Sequence, residues 1–214
     1  MAGPAAAPNV AVGTGAGAGA ACGVRPDVAA EVPAGGQAPV PGLALPAAGG
    51  APNPARPQGP AAGSALVIGD SIALGSADSL RRALGEGTTV DAKVGRQFSA
   101  APGIVAAWTA VNDGPIVVDL GANGTVAADD VAAVIAAAGG RRLVLVGVHV
   151  PRRWQDGNNA ALRAAAAGHP TVAFVDWDAL VDANPGVLGP DGVHPGVTGR
   201  TLLATAVAAA AHKP

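Results

Sequence analysis

Residues 64 to 214 alternate short runs of Val, Ile and Leu with longer stretches rich in Ala and Leu. The short runs are apolar throughout rather than at every second position, which is typical of strands covered on both faces of a parallel sheet. Stretches with helical character separate these runs, as crossovers between parallel strands require. The sequence therefore predicts an α/β fold, a three-layer α/β/α domain around a flavodoxin-like parallel five-stranded sheet.

The element boundaries follow from the same pattern and from the glycines and prolines that interrupt it. The predicted strands are 65–68, 89–94, 115–120, 142–150 and 171–176. The predicted helices are 70–84, 102–111, 126–138, 158–167 and 198–212, the last following a glycine-rich loop.

The first 63 residues have a different composition. They hold 11 of the 19 prolines and repeat Ala, Gly and Pro without helical or strand periodicity. Such a segment buries too little apolar surface to offset its chain entropy, so we predict a disordered tail or linker over 1–63 and a folded domain over 64–214. The tail is interpreted equally well as a tether, through which the chain associates with the cell envelope or a membrane protein, and as plain low-complexity sequence.

Charge and composition exclude several classes of function. A net charge of −2 gives no electrostatic reason to bind nucleic acid, and no apolar run is long enough to predict a transmembrane segment. The start of the chain lacks the basic and strongly apolar stretches of a secretory leader. A single cysteine and the absence of Cys/His clusters with zinc spacing predict neither an internal disulfide nor a bound metal, and no cofactor is expected.

Three polar, glycine-marked turns are predicted to meet at one edge of the sheet. Gly69-Asp70-Ser71 follows the first strand, Gly95 lies after the second, and Gly121-Ala122-Asn123-Gly124 follows the third. In open α/β sheets, ligands bind beyond the carboxyl ends of the strands, beside the point where the strand order reverses. With strand order 2-1-3-4-5, these turns surround that point.

A serine becomes a nucleophile when a base removes its proton and an acid orients the base. His194 is the best candidate base for Ser71, and Asp191 precedes that histidine by three residues, a spacing that places both on one face of a turn. Gly-Asp-Ser alone is a common helix cap and Asp-x-x-His alone a common turn, but their combination with Asn123 and Gly95 indicates catalysis.

Gly69-Asp70-Ser71, Gly95, Gly121-x-Asn123 and Asp191-x-x-His194 resemble, in order, the four sequence blocks of the SGNH (GDSL-type) hydrolase family. Within that family, the segments 94–97, 120–124, 151–154 with Asn158, and 175–177 are similar to the SGNH domain of acyltransferase-type proteins that O-acetylate peptidoglycan. Three positions depart from common family residues: Ile72, Ala122 and Gly124.

The resemblance implies that Ser71 is the nucleophile, His194 the general base and acid, and Asp191 its orienting carboxylate. It implies an oxyanion hole made by the backbone N–H groups of Ser71 and Gly95 and the Asn123 side chain. It also implies an extracytoplasmic or envelope location and a serine esterase or O-acyltransferase acting on small acyl esters, acetyl above all, of carbohydrates. A general lipase or esterase, a carbohydrate deacetylase and a non-catalytic binding module of the same fold are the alternatives.

Fewer observations bear on substrate contacts. Arg96 and Trp154 are the candidate substrate-binding residues, since Arg96 follows a turn at the predicted site and an indole can stack on a sugar ring. His149 ends the fourth strand near the same edge, but Val146 rather than an acid precedes it by three residues. We therefore interpret His149 as a structural histidine.

Overall fold

The computed structural model describes residues 64–213, so the predicted tail at 1–63 lies outside the described part of the chain. The strands are β1 (Leu66–Gly69), β2 (Thr89–Ala92), β3 (Ile116–Asp119), β4 (Leu143–Val146) and β5 (Val172–Val175). The helices are α1 (Ser71–Leu84), α2 (Ala101–Thr109), α3 (Ala128–Ala138), α4 (Gln155–Gly168), α5 (Trp177–Ala183) and α6 (Val197–Ala211), with a short 3₁₀ turn at Phe98–Ala100.

All five strands are parallel and adjacent in the order β2-β1-β3-β4-β5. This order confirms the predicted flavodoxin-like α/β fold. β1 lies between β2 and β3, and its last residue, Gly69, pairs with Ala92 on one side and Asp119 on the other. The three turns that follow these strands therefore leave the sheet at the same level, and they carry the predicted site.

The strands bury both faces, which divides the core into two layers. Val67, Val117 and Val144 pack on the side of α1 and α6, where Leu80 and Leu203 are fully buried. Ile68, Val118 and Leu145 pack on the opposite side, against α2, α3 and α4. Side chains of one strand alternate between the two layers because successive residues point to opposite faces. This alternation explains the continuous apolar runs in the sequence.

Several elements differ from the predicted boundaries. β2 ends at Ala92 and β4 at Val146, whereas the predicted ends are residues 94 and 150. Ala92 and Val146 pair with the last residues of β1 and β5, and strand pairing stops there. α4 begins three residues early, at Gln155. The seven-residue α5 was not predicted, since two turns are too short to establish a helical period; the Asp176 side chain begins it by accepting the N–H of Ala179 at 3.3 Å.

Close packing at the end of β1 brings the first turn of α1 down onto the sheet. A Cβ at Gly69 would collide with the Cβ of Ala73 and approach the carbonyl oxygen of Asp119 to 3.3 Å. Any larger residue would push the start of α1 away from β1, so glycine is required for this geometry. The beginning of α1, and with it Ser71, is thereby fixed against the sheet. Within residues 64–213, no helix combines the length and apolar character needed to cross a bilayer.

Candidate active site

Ser71 is the first residue of α1, directly after the buried N-cap residue Asp70. The Asp70 Oδ1 atom accepts the N–H of Ile72 at 2.9 Å and so closes the first turn. As the first helical residue, Ser71 has a backbone N–H without an acceptor inside the helix. That N–H and the positive end of the helix dipole are available to a negatively charged oxygen near the serine.

The imidazole of His194 joins Ser71 to Asp191. His194 Nε2 lies 2.9 Å from Ser71 Oγ, and His194 Nδ1 lies 2.7 Å from Asp191 Oδ2. When the neutral imidazole carries its proton on Nδ1, that N–H donates a hydrogen bond to the Asp191 carboxylate. Nε2 then has a free lone pair, which accepts a hydrogen bond from the serine O–H. Residues 123 positions apart in the sequence are thus in contact, as predicted from the two motifs.

The loop that carries Asp191 and His194 is held by its own backbone. Asp191 Oδ1 accepts the N–H groups of Val193 and His194, both at 3.0 Å. These two hydrogen bonds, together with the imidazole, hold the pKa of the Asp191 carboxyl well below its usual range. The loop is closed by a bridge between Leu188 and Pro195. Asp191 is therefore an ionised and oriented partner for the imidazole, although about half of its side chain is exposed.

Asn123 lies beside Ser71 because Asp70 holds it there. The Asn123 Nδ2 atom donates a hydrogen bond to Asp70 Oδ2 at 2.9 Å. An amide nitrogen carries two N–H donors, so the second remains for an oxygen in the cleft. Burial raises the pKa of Asp70, while the hydrogen bonds from Ile72 and Asn123 act in the opposite direction.

A cleft of about 450 Å³ opens over these residues. Ser71, Asn123, Asp191 and His194 all line it. Much of the remaining wall comes from the segment between β4 and α4: Val150, Pro151, Arg152 and Trp154. A larger cavity of about 650 Å³ lies elsewhere, beside β5 and the ends of α4 and α6, and it contains none of the predicted site residues.

Two predicted site residues do not line the cleft. Gly95 lies in the turn after β2 with a φ of +74°, a backbone conformation that favours glycine. Gln97, two residues later, donates its side-chain N–H to the Asn123 carbonyl oxygen at 2.9 Å, so this turn borders the oxyanion candidate. Arg96 differs from the expectation of a substrate contact: its guanidinium binds the Asp91 carboxylate at 2.6 Å and the Asp91 carbonyl oxygen.

Trp154, the other predicted substrate contact, does line the cleft. His149 lies next to the cleft wall and has an acidic partner, although no acid lies near it in the sequence. His149 Nδ1 lies 2.7 Å from Asp178 Oδ1, which also accepts a hydrogen bond from Gln155 at 3.1 Å. The strand order signals this pair, because β4 and β5 are neighbours and Asp178 lies just beyond β5.

Among residues 64–213, the group able to hold a metal ion is His149, Asp178 and Asp182, whose donor atoms lie within 4.8 Å of one another. His149 and Gln155 already hydrogen-bond Asp178 Oδ1, and Asp182 lies one turn further along α5.

A buried carboxyl group behind the site was not predicted from the sequence. Asp119 ends β3 beside Gly69, is 5% exposed, and its Oδ2 atom has no hydrogen-bond partner within the described residues. Burial, and secondarily the charge of Asp70, raises the pKa of Asp119 well above its ordinary value. A neutral, protonated carboxyl group is the form that this environment favours.

Comparison with known proteins places the described domain among related sequences and folds. No family model matches the sequence. The O-acetyltransferase OatA of Staphylococcus aureus is 30% identical over 134 residues, which are 61% of this chain and 22% of that protein. The matched region thus spans less than a quarter of the length of this relative.

Solved structures share the fold. The C-terminal catalytic domain of the Streptococcus pneumoniae peptidoglycan O-acetyltransferase OatA, with a methylsulfonyl adduct, aligns with a TM-score of 0.62 and 24% identity, covering 70% of this chain and 92% of that one. A putative acylhydrolase from Bacteroides fragilis aligns with a TM-score of 0.55 and 16% identity over 69% and 85% of the two chains. A family 3 carbohydrate esterase from Clostridium thermocellum gives 0.52 and 15% over 67% and 92%. The resemblance predicted from the four sequence blocks is therefore confirmed: residues 64–213 have the fold of the SGNH hydrolases and resemble the catalytic domain of the OatA-type acetyltransferases.

Proposed function

We propose that this chain is a serine esterase or O-acyltransferase that acts on small acyl esters, acetyl above all, of carbohydrates through an acyl-enzyme on Ser71. The contact of Ser71 Oγ with His194 Nε2 at 2.9 Å carries the proposal, because an imidazole oriented by a carboxylate is what converts a hydroxyl into a nucleophile. The names of the similar proteins, a peptidoglycan O-acetyltransferase and a carbohydrate esterase, support the substrate class.

The first half of the reaction forms the acyl-enzyme. Ser71 Oγ bonds to the ester carbonyl carbon while its proton passes to His194 Nε2, and Asp191 stabilises the resulting imidazolium. The carbonyl oxygen becomes an oxyanion, which accepts hydrogen bonds from the Ser71 N–H and the second N–H of Asn123, both of which lie at the cleft. The Gly95 N–H, the third donor that the family resemblance implies, lies in the bordering turn and reaches the oxyanion only if that turn moves toward the cleft when substrate binds. The tetrahedral intermediate then breaks its bond to the alcohol oxygen, which leaves with the proton from His194.

The second half returns the serine. A hydroxyl from water or from a carbohydrate gives its proton to His194 Nε2 and attacks the acyl carbon, and the bond to Ser71 Oγ breaks as the serine regains a proton. Water yields hydrolysis, and a sugar hydroxyl yields transfer. A ring that stacks on Trp154 in the cleft would hold the acceptor hydroxyl near the acyl carbon and favour transfer by proximity.

We further propose that 64–214 is the catalytic domain, that 1–63 is its linker or tail, and that the enzyme works in the cell envelope. The comparison with proteins that act on peptidoglycan supports the location, because their polymeric substrate lies outside the cytoplasm.

The test uses the full chain with p-nitrophenyl acetate as the acyl donor, with and without peptidoglycan fragments as acceptors. We expect release of p-nitrophenol and an acetylated serine at position 71 by mass spectrometry, with acetylated glycan appearing only when the acceptor is present. Ser71→Ala should lose turnover with an unchanged circular dichroism spectrum. A folded wild-type chain that neither turns over nor becomes acetylated would support the binding-module alternative. Hydrolysis of the donor without any acetyl transfer to the glycan would indicate an esterase or deacetylase.

A further inference from the structure

A buried asparagine on α4 holds the backbone on both sides of Asn123. Asn158 is 1% exposed and is the fourth residue of α4. Its Nδ2 atom donates to the carbonyl oxygens of Gly121 at 3.0 Å and Gly124 at 2.8 Å, and its Oδ1 atom accepts the N–H of Val126 at 2.8 Å. These three backbone groups lie two residues before, one residue after and three residues after Asn123.

The three bonds use both amide N–H donors and the carbonyl oxygen of Asn158. Only a primary amide presents two donors and one acceptor from one planar group, and glutamine is longer by one methylene, so this position is chemically specific. A carboxylate would face two carbonyl oxygens, and an apolar side chain would leave three buried backbone groups without partners. Asn158 is thus fitted to one conformation of the loop between β3 and α3.

The same loop is held from two further directions. Gln97 donates to the Asn123 carbonyl oxygen at 2.9 Å, and the Asn123 side chain itself donates to Asp70. Neither bond fixes the path of the chain before and after Asn123, which is what Asn158 does. An oxyanion donor contributes to catalysis only when it is already aimed at the position where charge develops, so an error of a fraction of an ångström lowers the rate.

We propose, resting on the function proposed above, that Asn158 is a positioning residue for turnover that acts through Asn123. It sets the loop so that the second N–H of Asn123 meets the oxyanion, and it touches neither the substrate nor the Ser71–His194 pair. The same helix turn connects this loop to the cleft wall, since the Asn158 N–H donates to the carbonyl oxygen of Trp154 at 2.9 Å. The first turn of α4 thereby links the oxyanion donor to the predicted sugar contact.

The neighbouring Asn159 provides a matched control. It is also buried, at 5% exposure, but its side chain holds the start of the segment between β4 and α4 and makes no bond to the Asn123 loop: it accepts from the Val148 N–H at 2.8 Å and donates to the Val148 carbonyl oxygen at 2.9 Å. Asn158→Ala and Asn159→Ala remove the same side chain from adjacent positions, and both leave buried backbone groups unpaired. Loss of stability is therefore common to the two variants, whereas an effect through Asn123 is specific to Asn158.

The experiment is a double-mutant cycle on the full chain with p-nitrophenyl acetate, with active serine counted by a sulfonyl fluoride titration. We expect Asn158→Ala to lower kcat about tenfold to a hundredfold with little change in KM, less than the 10²–10³ typical of losing an oxyanion donor outright. In the Asn123→Ala background, the same change should lower kcat less than about threefold, because its target is already gone. Asn159→Ala should lower the melting temperature similarly, change kcat less than about threefold, and add independently to Asn123→Ala.

Equal losses of kcat in both backgrounds, or equal effects of the two asparagine variants, would overturn the proposal. If Asn158→Ala does not fold, Asn158→Ser, which keeps one polar group at the site, takes its place in the cycle. Failure of both to fold while Asn159→Ala folds would assign Asn158 to folding alone and also overturn it. An inactive wild-type chain would instead contradict the proposed function, which separates the two failures.

Discussion

Asp70 joins the two halves of the candidate active site through its two carboxylate oxygens. Oδ1 accepts the N–H of Ile72 and caps the helix that begins at Ser71, while Oδ2 accepts the Asn123 amide at 2.9 Å. The candidate nucleophile and the candidate oxyanion donor are therefore positioned by one buried side chain. This explains why an acid immediately precedes the serine although it does not touch the imidazole.

We expect Asp70→Asn to lower kcat about tenfold to a hundredfold, somewhat less than removal of an oxyanion donor. The side-chain oxygen of the introduced asparagine still caps α1. Its N–H₂ group then faces the N–H₂ group of Asn123, and because both groups are donors, Asn123 rotates away. Steady-state kinetics with p-nitrophenyl acetate measure the effect. The melting temperature serves as control and should stay close to that of the wild type, because the cap is retained. An unchanged kcat would show that Asn123 does not depend on Asp70.

Asp191→Asn tests the orientation of the imidazole. The backbone N–H groups of Val193 and His194 occupy one side-chain oxygen of Asp191, so the amide N–H₂ of the variant faces His194 Nδ1. That arrangement places the imidazole proton on Nε2, which then cannot accept the proton of Ser71. A loss of kcat on the order of 10⁴ is expected, as for the equivalent change in other serine hydrolases.

The pH profile supplies a second measurement for the same residue. Because the pKa of Asp191 is lowered, this carboxyl is ionised at neutral and mildly acidic pH, so an acid limb of kcat in that range belongs to another group. Raising the pH should not restore Asp191→Asn, because its defect is the imidazole tautomer that the introduced amide imposes. A variant whose rate recovers at alkaline pH, or falls less than tenfold, would argue against the proposed role.

Local residue patterns and strand order are sufficient to predict the fold and the meeting of the catalytic motifs. Side-chain contacts between distant elements cannot be predicted in this way. Ser71 and His194 carry recognisable motifs at strand and loop ends, so their meeting follows once the sheet order is known. Asn158 enters the sequence analysis only through the family resemblance, because its side chain bonds to backbone atoms 32 to 37 residues away and the identities of those residues do not indicate the contact. Arg96 was placed at the site by its turn, but nothing local indicated that Asp91 would hold it.

The buried carboxyl of Asp119 predicts an unusual pH dependence of stability. Its pKa in the folded protein lies well above the ordinary value of 3.8, chiefly because of burial. Between those two values the unfolded chain has lost this proton and the folded protein keeps it, so the free energy of unfolding falls as the pH rises. Asp119→Asn abolishes this titration. Its free energy of unfolding relative to wild type should therefore improve as the pH rises above about 4.

Urea unfolding at a series of pH values measures this difference. Asp78→Asn, which changes an exposed side chain, is the control for general effects of removing a negative charge. The prediction concerns how the difference in free energy of unfolding changes with pH, and not its absolute size. An amide at this buried position also lacks a partner and lowers stability at every pH. A constant difference between wild type and Asp119→Asn across this range would mean that Asp119 is ionised in the folded protein.

The two predicted substrate contacts can be separated, since only one of them lines the cleft. Trp154→Ala should raise KM for a carbohydrate ester about 2-fold to 12-fold, the equivalent of about 0.5–1.5 kcal/mol of ring stacking, with a smaller effect on p-nitrophenyl acetate. Arg96→Ala should leave both constants within about twofold, because its guanidinium is bound to Asp91 and is not aimed at substrate. Its effect should instead appear in the melting temperature, since this ion pair is partly buried. A carbohydrate-specific rise in KM for Arg96→Ala, with none for Trp154→Ala, would reverse the assignment and require the Arg96–Asp91 pair to open when substrate binds.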